Sequence, residues 1–207
     1  RKDICPYQEK YMTLLDPSSI SESPELDPLF NLISQSMGFV PNSMRTMAHW
    51  PELLQHFSQL AGTVLNGGVL SADLKQLIGH VTSTASGCQY CQAHTAHQAI
   101  KKGVAQEKLL AVFEFEDSDL FSKAEKAALK VALHGGTSPN GVEPEHMETL
   151  LNHFNQREAV EIISVIALFG FLNRWNDSLA TTLEPSPLEF AQSSLTERGW
   201  QPGKHAT

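Results

Sequence analysis

From Pro24 onward the apolar positions of this chain recur every three or four residues, the period of a helix with one buried face. Leu26, Leu29, Phe30, Ile33 and Met37 form the first stripe, stopped by Gly38. Pro41-Asn42-Ser43 opens a short helix. Pro51 opens another, carrying Leu53, Leu54, Phe57, Leu60, Ala61, Val64 and Leu65 and ended by Asn66-Gly67-Gly68. Ser71 is the predicted N-cap of a helix to about Ala85, with Leu74, Leu77, Ile78 and Val81 inward, and Ser86-Gly87 breaks it. The next helix starts near Cys88 and stops at Lys101-Lys102-Gly103, where basic residues and glycine suit a helix C-terminus.

Two capping-box patterns follow. Ser122 with Glu125 precedes Ala128, Leu129, Val131, Ala132 and Leu133, closed by Gly135-Gly136. Asn155 with Glu158 opens the longest helical pattern, predicted to run to about Leu183. Between them, Pro144 sits in the first turn of a short helix ending near Phe154. Pro185 and Pro187 interrupt, and one more short helix precedes a polar end. No stretch shows strand alternation, so the pattern predicts an all-α, multi-helix bundle. It divides into an irregular arm over 1–23, a helical domain over 24–195 and a polar tail over 196–207. A weak echo between the segments that begin at Ser71, Ser122 and Asn155 reflects either shared helix grammar or duplication.

Composition narrows what such a bundle can do. The 207 residues are 41% hydrophobic and 18% charged, ordinary for a globular chain. A formal charge of -8 argues against nucleic acid, whose phosphates need a basic face. The longest apolar run, Val165 to Leu172, is far short of the ~20 residues that span a bilayer, so no membrane partner is expected. Three cysteines are too few for a secreted disulfide framework, and no signal-like segment opens the chain. The expected compartment is the reducing cytoplasm, where a close cysteine pair points to redox catalysis or metal.

That pair is Cys88 and Cys91, the latter followed by His94 and His97. Residues three apart on a helix lie about 60° apart around its axis, so the two sulfurs can meet and a disulfide can form without refolding. A helix N-terminus also favours the thiolate through unpaired N–H groups and the helix dipole. A metal fits poorly. Cys88, Cys91, His94 and His97 spiral around half a helix and climb about 13 Å, too spread for one tetrahedral ion. No metal and no cofactor are expected; Cys5 is read as incidental, and His97 as structural. The cluster Arg174, Trp175, Asn176 and Asp177 is read as tying helices or subunits together, with a pocket role as the alternative.

The run Gly87-Cys88-Gln89-Tyr90-Cys91-Gln92-Ala93-His94, with Leu74 to Ile78 before it, resembles the carboxymuconolactone decarboxylase superfamily. Within that group it is similar to the alkylhydroperoxidase D-like (AhpD-like), cysteine-containing branch. Met37 to Asn42 and Phe169 to Asp177 resemble segments of the same group. The resemblance implies an all-helical fold assembling as a homo-oligomer, trimer or hexamer. It implies a peroxidatic Cys91 that attacks a hydroperoxide, a resolving Cys88, and a protein or small-molecule thiol reductant. It also exposes a departure. The branch's proton relay uses a glutamate and two histidines at positions held here by Gln76, Tyr90 and Thr95, none of which can act as a base near neutral pH. His80, one turn after Gln76, and His94, one turn after Cys91, are the candidate replacements.

The expected function is therefore a thiol-dependent hydroperoxide reductase with an antioxidant role. Rivals are a thiol–disulfide reductase with little peroxide activity and a non-catalytic redox-sensing oligomer. Decarboxylation has little support, because the family's decarboxylases lack the cysteine pair.

Overall fold

The computed structural model describes residues 15, 17 and 24–206. Most of the irregular arm read over 1–23, Cys5 included, lies outside the described residues. Among the described residues there are ten α-helices and no strand: α1 (Asp27–Met37), α2 (Asn42–Met47), α3 (Pro51–Asn66), α4 (Ala72–Ala85), α5 (Gln89–Lys101), α6 (Gln106–Leu110), α7 (Lys123–Gly135), α8 (Pro144–Leu151), α9 (Gln156–Leu179) and α10 (Pro185–Ser194). No helix among them is long and apolar enough to cross a membrane. The all-α bundle predicted from periodicity is the fold observed.

The core is built around α4. Every residue from Leu74 to Ser83 is buried, because α5, α7 and α9 pack around it. Such closeness needs a small residue at the crossing, and α4 supplies Gly79. A Cβ there would lie 2.3 Å from the ring of Phe169 on α9. A second tie fixes the α3–α4 turn. Glu161 on α9 accepts the backbone N–H groups of Val69 (3.0 Å) and Leu70 (3.1 Å), while the buried ammonium of Lys75 sits 3.3 Å from its carboxylate and donates to the Gly67 carbonyl. The buried charges are therefore paired and hydrogen-bonded, as burial requires.

Both capping boxes form, at Ser122 with Glu125 and at Asn155 with Glu158. The helix ends differ from expectation at one place that matters. α9 stops at Leu179 rather than near Leu183, because Ala180 turns left-handed (φ 49°). Thr181 to Glu184 then run without helical structure to α10, directly beside the start of α5. The segment read as a polar tail also packs inward. Trp200 and His205 are buried, and the Trp200 indole donates to the Gln89 carbonyl at 3.1 Å.

The Gly79 crossing is open to direct test. Gly79→Ala forces a methyl into an occupied ring and is expected to cost about 1–3 kcal/mol, as overpacking does. Urea unfolding of the variant measures it; an unchanged midpoint would mean that α4 and α9 are not in this contact.

Candidate active site

α4 and α5 meet at an almost immediate reversal, Ser86-Gly87, where Gly87 takes φ 77°, a conformation glycine adopts freely. The reversal leaves Cys88 as the N-cap of α5. Its sulfur accepts the Cys91 backbone N–H at 3.5 Å. Both cysteines are free thiols and both are buried. Their environments differ. A hydrogen bond from the Cys91 thiol lowers the Cys88 thiol below its ordinary value against the opposing effect of burial, and the His205 ring helps. Burial, then the hydrogen bond with Cys88, raises Cys91. At rest the negative charge belongs on Cys88, at the helix N-terminus, with Cys91 donating to it.

Cys91 nevertheless faces the cavity. A pocket of about 220 Å³ opens among α1, α3, α5 and α9, and Cys91 lines it while Cys88 does not. Its walls are largely apolar, with Leu29, Ile33, Phe57, Leu65, Phe169 and Leu172 among them. The polar atoms gather around Cys91. Asn176 donates Nδ2 to its sulfur at 3.4 Å, and Asn176 Oδ1 has no hydrogen-bond partner. His94 lines the same pocket, its Nε2 2.6 Å from Glu184 Oε2. Tyr90 stacks on the His94 ring (4.3 Å between centroids) and donates its hydroxyl to Glu184 Oε1 at 2.7 Å. The Asn42 backbone N–H also donates to that carboxylate. Burial alone would raise the Glu184 carboxyl; its His94, Asn42 and Tyr90 partners outweigh that and hold it below the ordinary carboxylate range.

The expected site residues thus separate. Cys91, His94 and Gln76 line one pocket. His80 stands one layer behind. It is fully buried, and its Nδ1 lies 3.0 Å from the Thr95 hydroxyl, which itself donates to the Cys91 carbonyl at 2.7 Å. His80 is thus linked through Thr95 to the Cys91 backbone carbonyl and not to either sulfur, so the relay expected of it is not brought to the pair. His97 packs against Phe190, away from the pair. The Arg174–Asp177 cluster also divides: Trp175 donates to Thr46 Oγ1 at 3.0 Å and ties α9 to α2, whereas Asn176 and Asp177 reach the cysteines.

Glu184 and His205 had no assigned role in the sequence reading. Glu184 lies 90 residues from His94 and no spacing rule connects them. For His205 a signal existed: an indole and an imidazole, Trp200 and His205, inside an otherwise polar end. Among the described residues the one group of three ligand-type side chains is Cys88, Asp177 and His205. Lys204 already neutralises Asp177 at 2.9 Å, supplying the positive charge a metal would bring.

Comparison with known proteins is consistent with this geometry. Residues 51–134 match the model of the carboxymuconolactone decarboxylase family. The chain is 35% identical to the debrominase Bmp8, solved as a cysteine-to-alanine variant in complex with 2,3,4-tribromopyrrole; the match covers 87% of this chain and 95% of that one, with a TM-score of 0.79. An alkylhydroperoxidase AhpD core, a peroxidase-related protein from Ralstonia eutropha JMP134, has the same fold at 21% identity, covering 87% and 93%, with a TM-score of 0.72. The uncharacterized protein YnjA of Escherichia coli (strain K12) is 28% identical over 44% of this chain, which spans half the length of that relative.

The His80 environment has a measurable consequence. Burial lowers His80 from 6.5 to about 4, against the opposing effect of a Gln92 backbone contact. The unfolded chain therefore takes up this proton first as pH falls. The stability that neutral His80 contributes is full above 6.5 and is lost on descending to about 4, a change of about 3 kcal/mol. His80→Gln should flatten that part of the stability–pH curve in urea titrations; a curve parallel to wild type would place a charged, solvated imidazole at this position instead.

Proposed function

The chain belongs to the carboxymuconolactone decarboxylase family, and from that premise we propose that it is a thiol-dependent hydroperoxide reductase of the alkylhydroperoxidase D-like branch, with an antioxidant role. One observation carries the reading: Cys91 is the sulfur on an apolar pocket, with a second thiol behind it and a His94–Glu184 pair beside it. The pocket suits a small apolar hydroperoxide rather than a sugar or a nucleotide.

As Cys91 Sγ attacks the terminal oxygen, its proton passes to the Cys88 thiolate. The S–O bond forms, the O–O bond breaks, and the departing alkoxide takes a proton from the His94 ring, whose positive charge Glu184 balances until the transfer. The product is an alcohol, and Cys91 becomes a sulfenic acid. Cys88 then displaces the hydroxyl, giving the Cys88–Cys91 disulfide and water. A thiol reductant returns two electrons and two protons. The backbone already allows the closure, because the N-cap geometry places the two residues one turn apart. Glu184 with His94 here takes the place of the glutamate and histidines missing at Gln76, Tyr90 and Thr95. A free dithiol of this kind belongs in the cytoplasm.

A second reading has its own support, the 35% identity to a debrominase. The same two thiols balance reductive dehalogenation: an aryl bromide and two thiols give the arene, hydrogen bromide and a disulfide. Asn176 Oδ1, unpartnered beside Cys91, would accept a pyrrole N–H or a hydroperoxide O–H alike.

Consumption of cumene hydroperoxide and of brominated pyrroles, each with a dithiol reductant, decides between them. Hydroperoxide turnover that falls to background in Cys91→Ser is the expected result. Equal rates in wild type and variant would sink the peroxidase reading, and bromide release without peroxide turnover would establish the second. Glu184→Gln should lower turnover by about 10- to 100-fold, the range of a lost proton partner. The homo-oligomer, trimer or hexamer, belongs to the same proposal. Exposed Leu60, Val160, Ile163 and Phe171 on α3 and α9 offer an apolar face for it, and light scattering gives the subunit number.

A further inference from the structure

Cys88 is fully buried on the side of the pair away from the pocket, and what it meets there is the end of the chain. A single 3₁₀ turn, Gly203–His205, brings the His205 imidazole inward. Cys88 Sγ, a ring nitrogen of His205 and a carboxylate oxygen of Asp177 all lie within 4.8 Å of one another. Nδ1 of His205 donates to the Thr181 carbonyl at 2.8 Å, which fixes the ring. Nε2 is left buried without a hydrogen-bond partner, 3.6 Å from Asp177 Oδ1.

The contacts that hold the segment bring it to the start of α5 or to the α9–α10 junction beside it. The Leu183 N–H donates to the His205 carbonyl at 3.0 Å, the Trp200 indole reaches Gln89, and Lys204 pairs with Asp177. A buried, unpaired ring nitrogen is costly wherever it has no work to do. Beside a sulfur that carries charge it has a partner. The titratable groups around the two are Cys91 on α5, Asp177 on α9 with its Lys204 counter-ion, and Tyr90, whose ring lies 5.8 Å from His205 and whose hydroxyl bears Glu184.

We propose that His205 is the proton partner of Cys88, a positioning residue through which the C-terminal segment keeps the resolving sulfur anionic and ready to close on oxidised Cys91. The inference rests on the thiol chemistry proposed above and deepens it. Cys88 has just accepted the Cys91 proton when Cys91 becomes a sulfenic acid, so it must lose that proton to act as a nucleophile. His205 already holds the proton that Cys88 gave up at rest, so the Cys91 proton leaves by the other route. As the Cys88 electron pair forms the S–S bond and the Cys91 S–O bond breaks, that proton passes from Cys88 to the leaving hydroxide as water. His205 Nε2 keeps facing the sulfur and stabilises it as it loses the proton. The hydroperoxide is the only oxidant, and both sulfurs end at the disulfide level. The Cys91 proton thus runs to Cys88 and out as water, while His205 holds its own proton against Cys88 on the opposite side of the pair from His94 and Glu184. The lowering of the Cys88 thiol, led by the Cys91 hydrogen bond and aided by His205, agrees with this direction.

Thiolate absorbance in the ultraviolet, followed against pH in the reduced protein, tests it without substrate. In Cys91→Ser, whose hydroxyl still donates to Cys88, the thiolate should form at low pH. Adding His205→Asn, which keeps an amide for the Thr181 carbonyl but removes the group facing Cys88, should raise the inflection by about one pH unit, a tenfold loss of thiolate at fixed pH. An unchanged inflection in a folded variant overturns the proposal. Should His205→Asn fail to fold, His205→Gln carries the same test with the same expected inflection, and the single cysteine variants add a second. The neutral-pH thiolate must vanish in Cys88→Ser and persist in Cys91→Ser, and the reverse overturns the proposal. Peroxide assays fail independently: a protein with a His205-dependent thiolate but no peroxide turnover rejects the peroxidase reading and keeps this one.

Discussion

A sulfur that is to carry negative charge inside a helical core must be compensated on every side, and the site is organised around that requirement at Cys88. An isolated buried anion would cost many kcal/mol, and such groups survive only with donors and counter-charges in place. α5 begins where it does so that Cys88 caps it and receives the Cys91 N–H. The abrupt reversal at Gly87 makes that start possible, and the burial of α4 on every side anchors the reversal. From the other direction the end of the chain brings His205, held by Thr181 and Leu183.

The same requirement explains why the two cysteines are unequal. Cys91 sits one turn into α5, deep in an apolar pocket, and its hydrogen bond to Cys88 favours the protonated form. On the proposed chemistry Cys91 is a nucleophile kept protonated until substrate arrives, with the neighbouring thiolate as its base, and the polar groups around it serve the substrate. Glu184 is the informative case. Gln76 stands on the pocket wall without a titratable group, while the Glu184 carboxylate, carried by the α9–α10 junction and bound by Asn42, meets the pocket only through Tyr90 and His94, which line it.

What the sequence disclosed follows from the range of each interaction. Helices α1 to α5 and α7 to α10 were legible because periodicity and caps are local; the short α6 carries too few residues to show a period. The cysteine pair was legible for the same reason, since three residues separate it. The reach of α9 was overestimated, because its apolar pattern continues past Ala180 although the backbone does not. Glu184, Asn176 and His205 were assigned no contact with the pair. Their partners lie 85 or more residues away, or at the far end of the chain, and only the packing of α9, α10 and the C-terminal turn brings them together. Local grammar therefore located the cysteine pair, and tertiary packing chose its neighbours.

That division bears on the substrate class proposed for the site. On either proposed reading the thiol pair delivers two electrons with the same geometry, so the cysteines do not discriminate between a hydroperoxide and an aryl bromide. Discrimination must come from groups that touch the leaving fragment. A departing alkoxide needs a proton, and His94 with Glu184 stands where one can be given. The arene carbon left by a departing bromine needs a proton too, and the same His94 lines the pocket that would hold it. On the proposed chemistry the pocket-side pair therefore serves either cleavage, and the choice between them falls to the apolar walls that hold the substrate.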